Sequence, residues 1–242
     1  MKAMVLAAGL GTRLRPLTAD RPKALVEVAG RTMLEITLSR LRAFGIREVI
    51  VNVHHFADLV LEYLKSKNNF GMHIEISREE ELLDTGGGLK KAAWFLEGGE
   101  EPFILHNVDV VSSIDLSVMI RLHAERDALA TLAVQDRQTS RYLLFDERLE
   151  LCGRQSTREQ KLEMVRPSPK PQKLAFSGIH VISPRIFQMM IKDDVFSIID
   201  FYLQLAGRGH RILAFRADEY YWRDLGKPEN VAQAAVDLER FG

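Results

Sequence analysis

The chain has 242 residues, 46% of them hydrophobic, and its 33 basic side chains balance its 33 acidic ones. This composition is typical of a soluble globular protein with a sizeable core, and the neutral balance gives no global attraction to nucleic acid or to an anionic membrane. The single cysteine, Cys152, excludes an internal disulfide, and no apolar run approaches the ~20 residues that span a bilayer. We therefore expect a cytoplasmic protein with neither a nucleic-acid nor a membrane partner.

The N-terminal segment is the most informative part of the sequence. Residues 3–8 are small and apolar without alternation, which predicts a strand buried on both faces of a parallel sheet. Gly9 and Gly11 follow, and because they lack a Cβ the backbone can turn sharply and bring its N–H groups close to a phosphate chain. Arg13 offers a rigid fork of donors to phosphate oxygens, and Lys23 offers a compact positive charge. The segment predicts a phosphate-binding loop; a plain glycine turn with solvated basic residues is the alternative.

Two better-known glycine motifs do not fit this loop. The Rossmann fingerprint needs a third glycine at the position that Leu14 occupies. The phosphate loop of the large ATPase class needs a Gly-Lys-Ser/Thr ending, which the sequence lacks. The loop therefore belongs to neither class.

Strands and helices alternate through the first half of the chain. Helical spacing of apolar residues predicts helices over 32–44 and 56–65, and apolar runs predict strands over 48–53, 72–77 and 102–107. Repeated alternation of this kind is typical of a mostly parallel sheet with helices on both faces. We expect a Rossmann-like three-layer α/β/α architecture.

Three consecutive glycines, Gly86 to Gly88, stand where a further helix is predicted to begin. Each costs about 1 kcal/mol relative to alanine inside a helix, so helix stability does not explain them. A flat base or a phosphate lying against bare backbone would explain them, and so would a flexible turn. The residues alone leave both interpretations open.

Asp109 lies directly past the predicted strand 102–107. Ligands of open α/β sheets bind outside the carboxyl ends of the strands, so this carboxylate is a candidate site residue. The alternative is that Asp109 caps the helix that begins near residue 114, although Asp115 is closer to that start.

The pattern changes from Leu129 onward. Residues 129–135 and 142–145 predict strands with little helix between them, whereas residues 153–173 are polar and contain prolines. That stretch has six basic residues against two acidic ones, but no aromatic side chain on which a base could stack. We expect a solvated, mobile loop rather than a nucleic-acid arm.

The last third of the chain contributes two further candidates. Gly178 lies inside a predicted strand, 174–182, where a glycine indicates either close approach of a ligand or a bulge. Asp224 follows an aromatic segment, 220–222, shortly before the terminal helix predicted from Lys227-Pro228.

These motifs resemble those of a known enzyme family. Residues 6–25 match nearly every position of the signature of the sugar-1-phosphate nucleotidyltransferases, Leu-Ala-Ala-Gly-x-Gly-Thr-Arg-Leu-x-Pro-Leu-Thr followed by Pro-Lys-x-Leu. Residues 176–179 are similar to the family's Phe-x-Gly-Ile segment, and residues 222–226 to its Trp-x-Asp-x-Gly motif. The Thr-Gly-Gly-Gly string at 85–88 resembles the form found in uridylyltransferases that act on N-acetylmuramate 1-phosphate.

The resemblance implies a fold, an activity and a set of site residues. The fold is the nucleotide-diphospho-sugar transferase fold, and the activity is that of an enzyme joining a sugar 1-phosphate to a nucleoside triphosphate with release of pyrophosphate. The catalytic residues it implies are Arg13, Lys23 and Asp109. It implies nucleotide contacts from Ala7, Ala8, Gly9, Gly11, Thr12, Arg13, Gly86 and Gly87, sugar contacts from Asn107 and Gly178, and Mg²⁺ held by Asp109 and Asp224.

The sequence departs from the family pattern at two places. Val108 stands where the family's Asn-Gly-Asp motif has its glycine. The Glu-Lys-Pro motif, whose glutamate contacts sugar or ribose in many relatives, has no counterpart near residues 153–173. Short relatives of the muramate type also lack that motif.

We expect a single nucleotidyltransferase domain over residues 1–242, with a nucleotide-binding half, 1–128, and a sugar-binding half, 129–242, that includes the mobile loop 153–173. The expected substrates are UTP and an amino-sugar 1-phosphate such as N-acetylmuramate 1-phosphate. Alternatives are GTP with mannose or heptose 1-phosphate, a cytidylyl or cofactor-nucleotidyl enzyme, and a catalytically silent, ligand-sensing homologue. A monomer and a homodimer both stay open.

Overall fold

The computed structural model describes residues 1–190 and 194–241. The strands are β1 (Lys2–Leu6), β2 (Glu27–Val28), β3 (Arg31–Thr32), β4 (Glu48–Val53), β5 (His73–Arg78), β6 (Phe103–Asn107), β7 (Val110–Ser112), β8 (Ala130–Gln135), β9 (Arg141–Phe145), β10 (Leu151–Ser156), β11 (Lys161–Met164), β12 (Gln172–Ile182), β13 (Ile212–Arg216) and β14 (Trp222–Asp224). The helices are α1 (Met33–Ala43), α2 (Ala57–Ser66), α3 (Asp84–Lys91), α4 (Ala93–Leu96), α5 (Leu116–Glu125), α6 (Ile198–Gly207) and α7 (Pro228–Phe241). Short 3-10 turns lie at Thr12–Leu14, Lys23–Leu25, Asn68–Gly71 and Pro184–Met189.

The centre of the sheet is parallel. Strand β1 lies between β4 and β6 and runs parallel to both, and β5 continues the parallel order beyond β4. Ala3, Met4 and Val5 of β1 are fully buried. Because successive side chains of a strand point to opposite faces, Ala3 and Val5 join one core while Met4 joins the other. The predicted burial of this strand on both faces is confirmed.

Helices cover both faces of the sheet. One core packs residues such as Leu38 of α1 and Val60 of α2 against the face that carries Val5. The other core packs Leu89 of α3 and Phe201 of α6 against the opposite face. This arrangement confirms the three-layer α/β/α fold class. Among the helices of the described residues, none is long and apolar enough to cross a membrane.

Beyond β6 the sheet becomes mixed. Strand β12 pairs antiparallel with β6, β8 and β9, and β13 pairs parallel with β8. The change occurs in the part of the sequence where strands stop alternating with helices, since antiparallel neighbours do not need the helical crossover that parallel ones require.

The prediction of a loop over 153–173 is wrong, whereas the mobility predicted for this stretch stays a prediction. Strands β10 and β11 form an antiparallel hairpin within that range, and β12 begins before its end. Arg154 forms ion pairs with Glu163 of the hairpin, at 2.8 Å, and with Asp200 of α6, while Arg166 pairs with Glu150 at 2.7 Å. Asp200 and Glu150 lie outside the stretch, so its composition alone does not reveal these partners of Arg154 and Arg166.

The topology brings several strand ends to one edge. Strands β1, β4, β5 and β6 are parallel, so their carboxyl ends lie at the same side of the sheet. Just past β6 the chain forms β7, which pairs antiparallel with β14. Asp224 lies opposite Val110 in that pair, which brings the end of the chain's last strand to the same edge.

Candidate active site

A cavity of about 690 Å³ lies at the carboxyl ends of these parallel strands. Eight residues predicted from the sequence line it: Ala8, Gly9, Gly11, Thr12, Arg13, Lys23, Asn107 and Asp109. They come from two segments far apart in sequence, the loop after β1 and the end of β6. The fold thus brings together most of the predicted phosphate loop and the predicted carboxylate.

The two glycines of the loop have different roles. Gly11 has a positive φ of 65°, and a Cβ there would lie 3.0 Å from Cγ2 of Thr18, so this position requires glycine. Its carbonyl oxygen accepts hydrogen bonds from the Thr18 hydroxyl and from the Leu14 N–H. A Cβ on Gly9 would meet no protein atom within 4 Å. The space beside Gly9 belongs to the cavity and is open to a ligand.

Lys23 and Asp109 form an ion pair inside this cavity. The Lys23 Nζ lies 2.5 Å from Oδ2 of Asp109, and the two side chains are only 16% and 11% exposed. Lys23 begins a short 3-10 turn directly after Pro22, whose fixed backbone sets the entry of that turn. The carbonyl oxygen of Asp109 accepts a hydrogen bond from the Leu225 N–H at 2.8 Å, which anchors the backbone that carries the carboxylate.

Asp224 lies next to this pair but does not line the cavity. The β7–β14 ladder places it beside Val110, one residue past Asp109, and its Oδ1 accepts the N–H of Gly226 at 2.5 Å. A Cβ on Gly226 would lie 2.6 Å from Oδ1 of Asp224 and 3.1 Å from Nη2 of Arg13. Gly226 is therefore the small residue that lets the Arg13 guanidinium approach the Asp224 carboxylate.

The donor set fits a magnesium ion only as part of a substrate complex. Among the described residues no group of three or more His, Cys, Asp or Glu side chains could hold a metal by itself. Asp109 and Asp224 are brought together by adjacent backbone, and Mg²⁺ commonly binds one or two carboxylates and completes its shell with water and phosphate oxygens. Asp109 in the cavity wall and Asp224 on the neighbouring strand match that preference.

Arg137 packs against β14, the strand that carries Asp224, and the sequence analysis did not identify Arg137 as a site residue. Its guanidinium carbon lies 3.7 Å from the centre of the Trp222 ring, and its Nη2 donates to the carbonyl oxygen of Phe176 at 2.7 Å. Burial lowers the pKa of Arg137, and the negative charge of Asp224 partly opposes that shift. The Trp222 indole N–H in turn donates to the carbonyl oxygen of Ser177 at 2.7 Å.

Gly86 and Gly87 do not line the cavity, and their contact with a nucleotide stays a prediction. Both are buried at the start of α3, and the N–H groups of both point at the carbonyl oxygen of Phe196. A Cβ on Gly86 would collide with the Phe196 ring, and one on Gly87 with the carbonyl oxygen of Asp194. Close packing of α3 against residues 194–196 explains the two glycines.

Gly178 also lies outside the cavity wall. Its φ is 76°, and the β8–β12 register shifts between Phe176 and His180, so the bulge interpretation is confirmed. A Cβ there would lie 3.0 Å from Nδ2 of Asn107, so the bulge makes room for the Asn107 side chain, which does line the cavity.

His106 fixes the backbone of the same strand end from inside the sheet. Its Nδ1 lies 2.8 Å from the carbonyl oxygen of Asn107, and burial lowers the pKa of this imidazole to about 4. The ring is therefore neutral at physiological pH and donates to that carbonyl from Nδ1.

The polar side chains of Asn52, Glu79 and Arg141 also line the cavity, and the sequence analysis did not predict them. Asn52 lies near the carboxyl end of β4, inside an otherwise apolar run, and Glu79 directly follows β5. A polar residue at the end of a buried parallel strand was the available sequence signal for these two. Arg141 begins an antiparallel strand far along the chain, and no sequence pattern pointed to it.

A second cavity, of about 530 Å³, adjoins the first. The two share Asp84 and Arg141 as wall residues, and the second is otherwise lined by polar and aromatic residues of β9, β10, β12 and α6, such as Tyr142, Gln155 and Phe176. One cavity is thus built around the first half of the chain and the other largely from the second half.

Comparison with known proteins identifies relatives over the whole length. The N-acetylmuramate alpha-1-phosphate uridylyltransferase of Caulobacter vibrioides is 37% identical over 245 residues, covering 98% of this chain and 96% of that protein. The mannose-1-phosphate guanyltransferase of Yarrowia lipolytica is 28% identical and covers 95% of this chain, which spans 62% of that longer protein.

Solved structures support the fold. HddC from Yersinia pseudotuberculosis, crystallised with GMP-PN, superposes with a TM-score of 0.77 at 24% identity, covering 98% of this chain and 99% of its own. A UDP-glucose pyrophosphorylase crystallised with UDP-glucose gives a TM-score of 0.78 at 18% identity, covering 100% of this chain and 99% of its own.

The family model for nucleotidyl transferase matches residues 2–240. That range includes the predicted phosphate loop, the Lys23–Asp109 pair and the Asp224 motif, and it agrees with the resemblance found in the opening residues of the sequence. The chain belongs to the nucleotidyl transferase family.

Proposed function

We propose that this protein transfers a uridylyl group from UTP to an amino-sugar 1-phosphate such as N-acetylmuramate 1-phosphate and releases pyrophosphate. The observation that carries the proposal is a cavity that is lined by the glycine loop, Arg13, Lys23 and Asp109 and that shares wall residues with a second cavity. Two adjoining cavities suit a reaction that joins two substrates. The full-length likeness to the Caulobacter uridylyltransferase supports the choice of substrates.

The reaction requires mainly that the two substrates are positioned and that their negative charges are compensated. A phosphate oxygen of the sugar 1-phosphate attacks the α-phosphorus of the triphosphate, and the bond from that phosphorus to the bridging oxygen of pyrophosphate breaks. The nucleophile is already an anion, so no general base has to create it. The protein has to bring two polyanions together and stabilise the charge that develops during transfer.

The chain's own residues meet these needs from the cavity wall. The backbone N–H groups of the loop from Ala8 to Thr12 and the Arg13 guanidinium hold the phosphates that leave. Lys23 is held in place by Asp109 and presents its ammonium to the phosphate at which transfer occurs. Asn107 lies at the same edge and orients the acceptor.

Magnesium belongs to this proposal as a cofactor held by Asp109 and Asp224. When bound it supplies positive charge at the α-phosphate and at the acceptor phosphate. The protein's part is to hold the two aspartates on adjacent backbone, through the Leu225 N–H bond to the Asp109 carbonyl and the β7–β14 pairing.

The sugar ring of the acceptor belongs in the second cavity, with its phosphate directed toward the first. The wall of the second cavity combines hydroxyl and amide groups, from Ser156, Gln155 and Tyr142, with the Phe176 ring, a mixture suited to a sugar that presents both polar groups and apolar C–H faces. Arg141, at the junction of the two cavities, offers a cation to an anionic group of the acceptor.

A GTP-dependent mannose or heptose 1-phosphate guanylyltransferase is the second candidate. Asp84 lines both cavities, and a carboxylate is a suitable acceptor for the exocyclic amine of guanine. The Yarrowia guanyltransferase is also similar over most of this chain. A silent, ligand-sensing homologue is less well supported, because Arg13, Lys23 and Asp109 all reach the same cavity.

A matrix of substrates tests the proposal. The purified protein is assayed with four nucleoside triphosphates against N-acetylmuramate, N-acetylglucosamine, glucose and mannose 1-phosphates, and pyrophosphate release is measured. We expect UTP to exceed GTP by at least about tenfold in kcat/KM with the right sugar phosphate, since mismatched polar groups of a buried base are left unpaired. A preference for GTP would move the protein to the guanylyl alternative, and no turnover with any pair would favour the silent homologue.

A further inference from the structure

The first turn of the terminal helix α7 is hydrogen-bonded back to the residue that ends β14. Nδ2 of Asn230 donates to the backbone carbonyl oxygen of Asp224 at 2.8 Å. Because β14 ends at Asp224 and α7 begins at Pro228, this bond closes the linker 225–227. The Asn230 side chain can reach back along the chain because the Cα–Cβ bonds of a helix tilt toward its N-terminus.

The peptide group between Asp224 and Leu225 forms hydrogen bonds at both of its ends. Its carbonyl oxygen accepts the bond from Asn230, and its N–H, which belongs to Leu225, donates to the carbonyl oxygen of Asp109 at 2.8 Å. A peptide group is planar, so a rotation that moves its carbonyl oxygen also moves its N–H. Asn230 therefore acts on the backbone contact that joins Asp224 to Asp109.

The sheet does not fix this peptide group by itself. The β7–β14 ladder extends as far as the pair of Asp224 with Val110, and the chain leaves the strand at that point. The Gly226 N–H holds Oδ1 of Asp224 and so orients the carboxylate relative to the linker. The Asn230 amide is the contact that ties the same residue to a helix.

Helix α7 is itself firmly attached to β14 and to the core. Val231 and Ala234 of α7 are buried in the core that also contains Leu225. Farther along the helix, Oδ2 of Asp237 accepts a hydrogen bond from the Tyr221 hydroxyl at 2.7 Å and pairs with Nη2 of Arg223 at 3.0 Å. The helix thus contacts the segment 221–224 at both of its ends and offers Asn230 a fixed base.

We propose that Asn230 is a positioning residue that sets the relative placement of Asp109 and Asp224 and thereby the affinity of the site for its divalent cation. The inference rests on the proposed function in taking these two aspartates as the metal ligands. It assigns Asn230 no contact with the metal or with a substrate, since the side chain acts through the peptide group that follows Asp224. Loss of a hydrogen-bonding partner behind a metal ligand typically costs about 10–100-fold in metal affinity.

Three variants separate the hydrogen bond from the stability of the helix. Asn230→Leu removes the donor at nearly unchanged volume and leaves the Asp224 carbonyl oxygen without this partner. Asn230→His keeps an N–H donor at Nδ1, which takes the place of the amide nitrogen, and at about pH 8 the ring is neutral. Ala234→Gly is the matched control, because Ala234 is a buried residue of the same helix and the change weakens the helix without touching the amide.

The experiment measures the dissociation constant of Mn²⁺ by electron paramagnetic resonance with saturating α,β-methylene-UTP, and with the matching GTP analogue in parallel. The Mg²⁺ concentration that gives half-maximal pyrophosphate release is measured beside it. We expect Asn230→Leu to raise both values by at least about tenfold and Asn230→His to stay within about threefold of the wild type. Ala234→Gly should lower the melting temperature and leave both values unchanged. Asp224→Asn, which removes a proposed ligand, should raise the Mn²⁺ dissociation constant at least as much as Asn230→Leu.

Each outcome decides the inference. An Asn230→Leu variant that melts at lower temperature but binds Mn²⁺ as the wild type does would overturn it, since the amide would then only stabilise the fold. It would also be overturned if Asn230→His or Ala234→Gly bound Mn²⁺ as weakly as Asn230→Leu, because shape or general loosening would then explain the loss. If Asn230→Leu does not fold, Asn230→Ala is measured against the same expectations.

Failure of this inference is distinct from failure of the proposed function. If Asp224→Asn weakens Mn²⁺ binding and Asn230→Leu does not, the inference alone is overturned. If Asp224→Asn binds Mn²⁺ as tightly as the wild type, the metal assignment of the proposed function is overturned and the inference falls with it.

Discussion

The ammonium nitrogen of Lys23 lies 2.5 Å from a carboxylate oxygen of Asp109, 86 residues further along the chain. The contact joins the phosphate loop to the end of β6, and both side chains are mostly buried. Removing either partner leaves the other as an uncompensated charge in the cavity wall, so single substitutions at these positions test the pair as well as the phosphate contacts.

We expect Asp109→Asn and Asp224→Asn each to reduce turnover by about 10²–10³-fold, because a neutral amide does not offset the charge of a divalent cation. Pyrophosphate release at saturating Mg²⁺ measures the loss, and Mn²⁺ binding followed by electron paramagnetic resonance reports the metal independently of turnover. Asp115→Asn is the matched control, since Asp115 caps α5 through the N–H groups of Ser117 and Val118 and asparagine caps equally well. Near-normal turnover and Mn²⁺ affinity in either active-site variant would rule out the metal assignment.

Arg13→Ala and Lys23→Ala should each slow the reaction by about 10²–10³-fold, in line with the loss of a preorganised charge-assisted contact to a transition-state oxygen. Arg15→Ala serves as the control, because Arg15 is exposed, belongs to the same segment and does not line the cavity. Single-turnover rates separate the effect on chemistry from product release. If Arg13 and Lys23 variants stay within a few-fold of Arg15→Ala, the loop does not hold phosphates.

The architecture could be predicted from the sequence because its signals are local. The apolar run of β1 and the spacing of α1 depend only on neighbouring residues, and Thr32 caps α1 by accepting the N–H of Glu35 at 3.0 Å. Asp109 was predictable for the related reason that it directly follows a buried parallel strand.

What the sequence could not predict depends on contacts between distant segments. Arg154 pairs with Asp200, 46 positions away, and the residues around Arg154 in the sequence give no sign of this partner. The hydrogen bond from Asn52 to Glu79 likewise joins segments that are 27 positions apart, and neither residue type signals a partner by itself. The glycine triplet predicted that other atoms lie close to its backbone. In the structure those atoms belong to Phe196, Asp194 and the Asn52–Glu79 pair.

Gly87→Ala should lower the free energy of unfolding by about 1–3 kcal/mol, the usual cost of overpacking, although alanine favours a helix by about 1 kcal/mol over glycine. The added Cβ would collide with the carbonyl oxygen of Asp194 and lie 2.9 Å from the Cβ of Leu83. Urea unfolding measures the change. Gly98→Ala is the comparison, since a Cβ there meets no protein atom within 4 Å. A Gly87 variant as stable as the wild type would show that α3 is not packed as described.

Acid should destabilise the protein partly through His180. Burial lowers the pKa of this imidazole to about 3, and its Nδ1 lies 3.0 Å from the Tyr202 hydroxyl. Between the unfolded pKa of about 6.5 and that value, the unfolded state binds the extra proton, so stability is complete above pH 6.5 and falls by about 1.4 kcal/mol per pH unit below it. His180→Gln keeps an acceptor for Tyr202 but does not titrate, so its melting temperature should fall less steeply between pH 7 and pH 4. His55→Gln, at an exposed position, should follow the wild-type curve.

Arg141 gives the most direct test of how the two cavities cooperate. Its side chain lines both of them, and within residues 1–190 and 194–241 its guanidinium forms no ion pair, so it is available to an anionic ligand. We expect Arg141→Gln to raise the KM for the sugar 1-phosphate by about tenfold and to change the KM for the triphosphate less, since one charged hydrogen bond is worth about 1.5–3 kcal/mol. Arg141→Lys keeps the charge and should recover part of the loss, whereas Arg148→Gln, in an exposed turn, should change neither constant. An equal rise in both KM values would place Arg141 on the triphosphate instead, and unchanged constants would mean that the acceptor binds away from the junction.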